Sequence, residues 1–135
     1  MEIMRKILFA LWLITLSINA DHIHWMGSYD KALQKAHKEQ KPLMVLLVKK
    51  ECPLCNDVIK DSFMKQEYVK HLNHKFVSVI VTYEGRESYP IEMFYSTSFP
   101  TLFFVSSQTE AFLAKPLYGR SIDENRIENI LKEIE

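Results

Sequence analysis

The chain has 135 residues and carries 17 lysines and arginines against 17 aspartates and glutamates, a net charge of zero with neutral histidines. A balanced surface of this kind argues against a polyanionic partner such as nucleic acid, and the length suits one globular domain. Hydrophobic residues make up 47% of the sequence, enough for one core of ordinary size without disulfides or metals to hold it.

Residues 1–20, MEIMRKILFALWLITLSINA, read as a segment apart from the globule. Arg5 and Lys6 give a positive start, Ile7 to Ile18 an almost unbroken apolar run, and Asn19-Ala20 a small-residue end. The run is shorter than the roughly twenty residues that span a bilayer as a helix, so the pattern predicts a cleavable secretory signal rather than an anchor. Ile18 stands where the usual small-residue end has alanine, which leaves the cleavage point less defined than the export itself. The domain then covers residues 21–135. Export also exposes any thiol to oxidising conditions.

Ser28 to Gln40 predicts a helix with Tyr29, Leu33 and Ala36 on one face, Ser28 as N-cap and Pro42 closing it. LMVLLV, Leu43 to Val48, is apolar without alternation, the pattern of a strand buried on both faces of a sheet. Cys52 and Cys55 follow, with Pro53 just inside the start of a helix that runs through Val58 and Ile59. A helix over Glu67 to Asn73 and a buried strand over Phe76 to Val81 come next. The stretch from Thr82 to Ser98 reads as loop with a helical turn near Ile91 to Tyr95. Thr101–Val105 and Ala111–Leu117 are strands separated by a short polar turn and predict an antiparallel hairpin. In the last helix Ser121 and Glu124 fit a capping box, and Ile127, Ile130, Leu131 and Ile134 repeat at helical spacing. The order predicts an α/β fold, a sheet flanked by helices with an antiparallel hairpin at one edge.

Cys52 and Cys55 are the only cysteines. As a staple they would close a very small loop, worth about 2 kcal/mol by loop entropy, and a staple gains more between distant segments. As a metal clamp two thiolates leave a tetrahedral site half filled. None of the five histidines is spaced to complete it: His22, His24, His37, His71 and His74 all read as surface residues, and His22 with His24 offers at most weak copper binding at a mature terminus unconnected to the cysteines. The redox reading accounts for the location as well as the spacing. A cysteine at a helix N-terminus meets unpaired N–H groups and the positive end of the helix dipole, which favour thiolate and make Cys52 the expected nucleophile. Cys55, one turn inside, is the expected resolving thiol.

CPLC after LMVLLV, the later SFPTLFFV, a hairpin ending at YGR with Gly119, and a terminal amphipathic helix together resemble the thioredoxin superfamily over nearly the whole domain. Within it, the flanking sequence, with Phe63, Val69 and Leu72 after the motif, is similar to the exported thioredoxin-like branch that includes the reductase domain of a bacterial transmembrane electron-transfer protein. The resemblance implies a thioredoxin-like fold, a cis bond at Phe99-Pro100, and a substrate groove formed by Pro53, Leu54, Ser98, Phe99, Pro100 and Thr101. It implies thiol–disulfide exchange on protein disulfides, with no cofactor and with electrons from a membrane-bound donor; the LKEIE ending, unlike an endoplasmic-reticulum retention signal, points to the bacterial periplasm, and the apolar strand and helix pattern is accounted for by the core of a monomer. A disulfide-introducing oxidant, a non-catalytic binding module and a copper-delivery protein are the alternatives. Two positions depart from the resemblance. Leu46 occupies the place of the buried acid that serves the resolving thiol, and Glu51 stands where a tryptophan usually precedes the first cysteine. The Glu51 carboxylate opposes a thiolate, whereas Lys49 and Lys50 favour it.

Overall fold

The structure, a computed structural model, describes residues 2–7 and 21–134. The expected export signal lies outside the described residues except for residues 2–7, which are helical and exposed. Among the described residues, no helix is long and apolar enough to cross a membrane.

The sheet has strand order β1-β3-β2-β4-β5, formed by Trp25–Met26, Val77–Tyr83, Leu43–Lys49, Thr101–Val105 and Leu117–Tyr118 respectively. β2 runs parallel to β3 and antiparallel to β4, so both of its edges are paired. Its two faces are buried as well. Leu43, Val45 and Leu47 join Val79, Val81, Phe103 and Val105 under helix α1, Tyr29–Glu39, which contributes Tyr29, Ala32 and Ala36. Met44 and Leu46 point the other way, with Leu102 and Phe104, into a core covered by α2 (Pro53–Ser62), α3 (Gln66–Lys75) and α4 (Glu124–Ile134). Two cores back to back explain why LMVLLV has no polar alternation.

The helices are set by short-range chemistry. Ser28 Oγ accepts the Lys31 N–H at 3.4 Å at the start of α1, and Asp30 in the first turn with His37 and Lys38 in the last complement the helix dipole. Gln40 ends α1 in the left-handed conformation, donating its N–H to the carbonyls of Ala36 and His37. The cap of α4 departs from expectation. Ser121 lies in a 3₁₀ turn, Gly119–Ser121, and Asp123 caps the helix instead, accepting the Arg126 N–H at 2.8 Å. Burial of Ile122 between the two segments delays the helix start past the expected capping box.

Two further differences concern strands. The expected strand from Ala111 to Leu117 is not continuous. Val105 bridges Phe112, with Ser106 N–H donating to the Ala111 carbonyl at 2.8 Å, and the ladder then breaks until Leu117–Tyr118 pairs with Leu102 and Thr101. Pro116 has no N–H to offer a ladder, and Glu110 turns the chain at a φ of 57°. The other difference is β1, two residues paired in parallel with Ser78 and Val79 and too short to announce itself as a periodic pattern. It is held from outside the sheet. Trp25 meets Phe63 edge-on at 5.4 Å, and the side-chain amides of Gln66 and Asn73 each give and take a hydrogen bond with the backbone of Asp21, His22 and His24.

Two buried tyrosines give the fold a predictable response to alkali. Burial, followed by the carboxylates of Glu124, Glu128 and Asp123, pushes the Tyr68 phenol far above its ordinary value, and its hydroxyl has no hydrogen-bond partner among the described residues. Burial and then Glu110, which accepts its hydroxyl at 2.8 Å, do the same to Tyr29. Both stay protonated in the folded chain at a pH where the unfolded chain ionises. Their contribution is therefore complete below about pH 10 and falls above it, by about 1.4 kcal/mol per pH unit for each tyrosine. Denaturant titrations between pH 9 and 11 should show this decline. Tyr68→Phe should reduce the slope and leave stability at pH 7 equal or higher, because it removes an unpaired buried hydroxyl; a slope unchanged by Tyr68→Phe would contradict the account.

Candidate active site

β2 ends at Lys49, the chain turns through Lys50 and Glu51, and α2 begins at Pro53 with Cys52 as its N-cap. Pro53 occupies the first helical turn, where a missing N–H costs nothing. Cys52 Sγ accepts the N–H of Cys55 at 3.1 Å, and the Cys52 carbonyl accepts the N–H of Asn56 at 3.3 Å. The sulfur thus takes the place that a serine or aspartate oxygen takes in other caps. Cys55 lies one turn along, and the two cysteines form a disulfide with a Cα–Cα distance of 5.2 Å. No acid lies in the first turn of α2 to oppose a negative sulfur. Both cysteines are buried, Cys52 with 8% of its surface exposed and Cys55 with 3%.

The antiparallel pairing of β2 with β4 sets Thr101 opposite Leu47, which brings the start of β4 to the end of the sheet from which the cysteines emerge. The Phe99–Pro100 peptide bond just before it is cis. Pro100 is buried, and its carbonyl accepts the Gly119 N–H at 2.8 Å. Gly119 has a φ of +53°, and a Cβ built on it would come within 3.9 Å of Leu54 Cδ2. Glycine therefore meets a backbone requirement here and leaves Leu54 in α2 next to the loop that also holds Pro100.

The remaining expected groove residues differ in what they present. Pro53 is exposed and Leu54 half-buried. Phe99 is half-buried between the Tyr83 ring at 5.6 Å and the Lys49 ammonium at 5.5 Å, so Lys49 is engaged with an aromatic face. Ser98 is exposed, and its carbonyl accepts the Thr101 hydroxyl at 2.6 Å. The Thr101 side chain is completely buried and ties down residues 96–98, with Ser96 Oγ 2.9 Å away, so it offers no side-chain surface to a groove. Tyr83 and Tyr118 were not anticipated. Tyr118 is exposed and pairs with Thr101, a position readable only once the register of the hairpin is known.

Beside the disulfide lies a cavity of about 300 Å³, lined on one side by Cys52, Cys55, Asn56 and Ile59 of the α2 end and on the other by Val48, Lys49, Glu51 and Ile80. Leu46 is fully buried, with Ile80 on one neighbouring strand and Leu102 on the other. The sheet beneath the cysteines is apolar at all three positions. Among the described residues no group of three or more His, Cys, Asp or Glu side chains is placed to hold a metal ion.

A thioredoxin-like family model matches residues 24–107. Among solved structures, the DsbH oxidoreductase superposes with a TM-score of 0.66 at 17% identity, over 87% of this chain and 88% of that one. A candidate disulphide isomerase from Bacteroides thetaiotaomicron superposes with a TM-score of 0.70 at 24% identity, over 87% and 97%. In sequence, anterior gradient protein 2-B of Xenopus laevis is 30% identical over 64 residues, 47% of this chain and 38% of that relative. The chain thus matches well under half the length of that curated relative. The family match takes in β1 through β4, the cysteine pair and the Phe99–Pro100 bond, more than half of the sequence, and by it the chain belongs to the thioredoxin-like family.

Proposed function

We propose that the protein is an exported thiol–disulfide oxidoreductase that reduces disulfides of periplasmic proteins, with Cys52 as nucleophile and Cys55 as resolving thiol. The observation that carries this reading is the place of Cys52, an N-cap whose sulfur accepts a backbone N–H and faces the positive end of α2. That donor and the helix dipole stabilise a thiolate and so lower the pH at which Cys52 becomes reactive. In the reduced protein the Cys52 thiolate attacks a substrate disulfide, one substrate sulfur leaves as thiolate, and a mixed disulfide forms. Cys55, as thiolate, then attacks Cys52 Sγ, the bond to the substrate breaks, and the substrate departs with two electrons. The protein is left as the Cys52–Cys55 disulfide seen in the structure. A dithiol donor, proposed here as membrane-bound, restores it.

Pro53, Leu54, Ser98, Phe99 and Pro100 form the proposed substrate groove, with Thr101 holding the loop beneath it. Pro100 has no N–H and so adds no unpaired donor beside the cysteines, and Leu54 supplies apolar surface. Export rests on Arg5, Lys6 and the apolar run from Ile7 to Ile18.

Cys55→Ser should accumulate a mixed disulfide with a peptide disulfide, seen as an added mass, whereas Cys52→Ser should form none and lose exchange. Binding of partners with exchange absent in the wild type would instead mark a non-catalytic module, and stoichiometric Cu(I) retained by the reduced protein and lost on the double substitution would mark a copper carrier.

The direction is tested separately by equilibrating the pair against dithiothreitol or glutathione buffers and counting alkylated thiols. A potential near about −270 mV, as for thioredoxin, is expected of a reductase, and one near about −120 mV would make the protein an oxidant.

A further inference from the structure

We infer that Glu51 is the proton carrier for Cys55, a surface carboxylate acting where the buried acid of a thioredoxin is absent. The inference rests on the exchange chemistry proposed above and deepens it.

Resolution of the mixed disulfide needs Cys55 as a thiolate. Cys55 is almost fully buried, burial disfavours the charged sulfur, and a free thiol loses its proton only around pH 8.5. At neutral pH the step therefore needs an acceptor. Leu46 and Ile80, side by side on β2 and β3, are both aliphatic and cannot take the proton. A cavity lies beside the disulfide, and among the described residues Glu51 is the one carboxylate that lines it together with Cys55. Asn56 also lines it and can bridge through a water. The cavity has room for several waters, so proton transfer need not be direct.

Glu51 also immediately precedes the proposed nucleophile in the turn after β2. The other groups around the cavity leave the role to Glu51. Lys49 of β2 has its side-chain nitrogen over the Phe99 ring, and Ile80 of β3 and Ile59 of α2 carry no acid–base group.

In the resolving step the Cys55 S–H bond breaks and its proton passes to a Glu51 carboxylate oxygen, directly or through one water. The Cys55 sulfur bonds to Cys52 Sγ as the Cys52–substrate S–S bond breaks. The electron pair leaves with the substrate sulfur, which takes a proton from solvent, and Glu51 returns its own to the same pool. Reducing equivalents come from the dithiol pair itself. In the reverse direction Glu51 would hand a proton back to Cys55.

The test is stopped-flow kinetics of the reduced protein against a peptide disulfide, with separate rates for mixed-disulfide formation and resolution between pH 5.5 and 9.5. Glu51→Gln should slow resolution at pH 7 by roughly a hundredfold, the low end of what a positioned base contributes. The deficit should close as pH rises and hydroxide replaces the base, while Glu51→Asp retains an intermediate rate with the wild-type profile shape. Iodoacetamide alkylation of Cys52 in the same variants monitors the first thiol. If Glu51→Gln changes only the alkylation profile of Cys52 and leaves resolution untouched at every pH, Glu51 acts as a nearby charge and the inference fails while the exchange reading stands. If the wild type performs no exchange at all, the proposed function itself fails and the inference with it.

Discussion

Everything in this molecule depends on the burial of β2 on four sides. Strands occupy both of its edges and separate cores cover both of its faces. Six consecutive apolar residues meet that demand without a polar side chain, and each fully buried aliphatic group contributes about 1.5–3 kcal/mol relative to exposure. A strand held so completely has one fixed exit. Cys52 lies just past that exit, so the position of the proposed nucleophile follows from packing several residues upstream, and loss of a buried leucine such as Leu47 would loosen the site as well as the core.

From the same exit, helix chemistry takes over. The turn after β2 delivers Cys52 to the N-cap of α2 and Cys55 to its first turn, where the geometry of an ordinary helix brings the Cα atoms to 5.2 Å, within the usual range for a disulfide. The opposing wall comes from β4 because its antiparallel register against β2 returns the chain to the same end of the sheet. Gly119 then closes the contact between that wall and Leu54. Two cores, one cap and one register are sufficient to assemble the site.

Much of this was legible in the sequence, and the parts that were not share a cause. LMVLLV, the capped helix at Ser28, CPLC with Pro53 and the terminal helix are signals carried by neighbouring residues, and local signals survive into the fold. β1 was missed because two residues have no period and are fixed by Phe63, Gln66 and Asn73, far along the chain. The expected strand over Ala111–Leu117 is apolar enough to pair, but Pro116 and the turn at Glu110 break the ladder. At the site, CPLC and SFPT were visible. The inward turn of the Thr101 side chain, and the placement of Phe99 between Tyr83 and Lys49, depend on cross-strand register and could not be read from spacing.

The absence of an acid under the cysteines is best understood as a trade between core and chemistry. A carboxylate at position 46 would stand between Ile80 and Leu102 with no partner, and burying a polar group unpaired costs on the order of 2–7 kcal/mol, more if it ionises. Leucine there contributes to the core instead. In the exchange proposed above a proton must still leave Cys55, and the inferred acceptor lies at the rim, where a carboxylate stays hydrated and needs no buried partner. A site arranged this way draws its acid–base behaviour from a group in contact with solvent, so its resolving step should follow external pH more closely than one served by a sequestered acid.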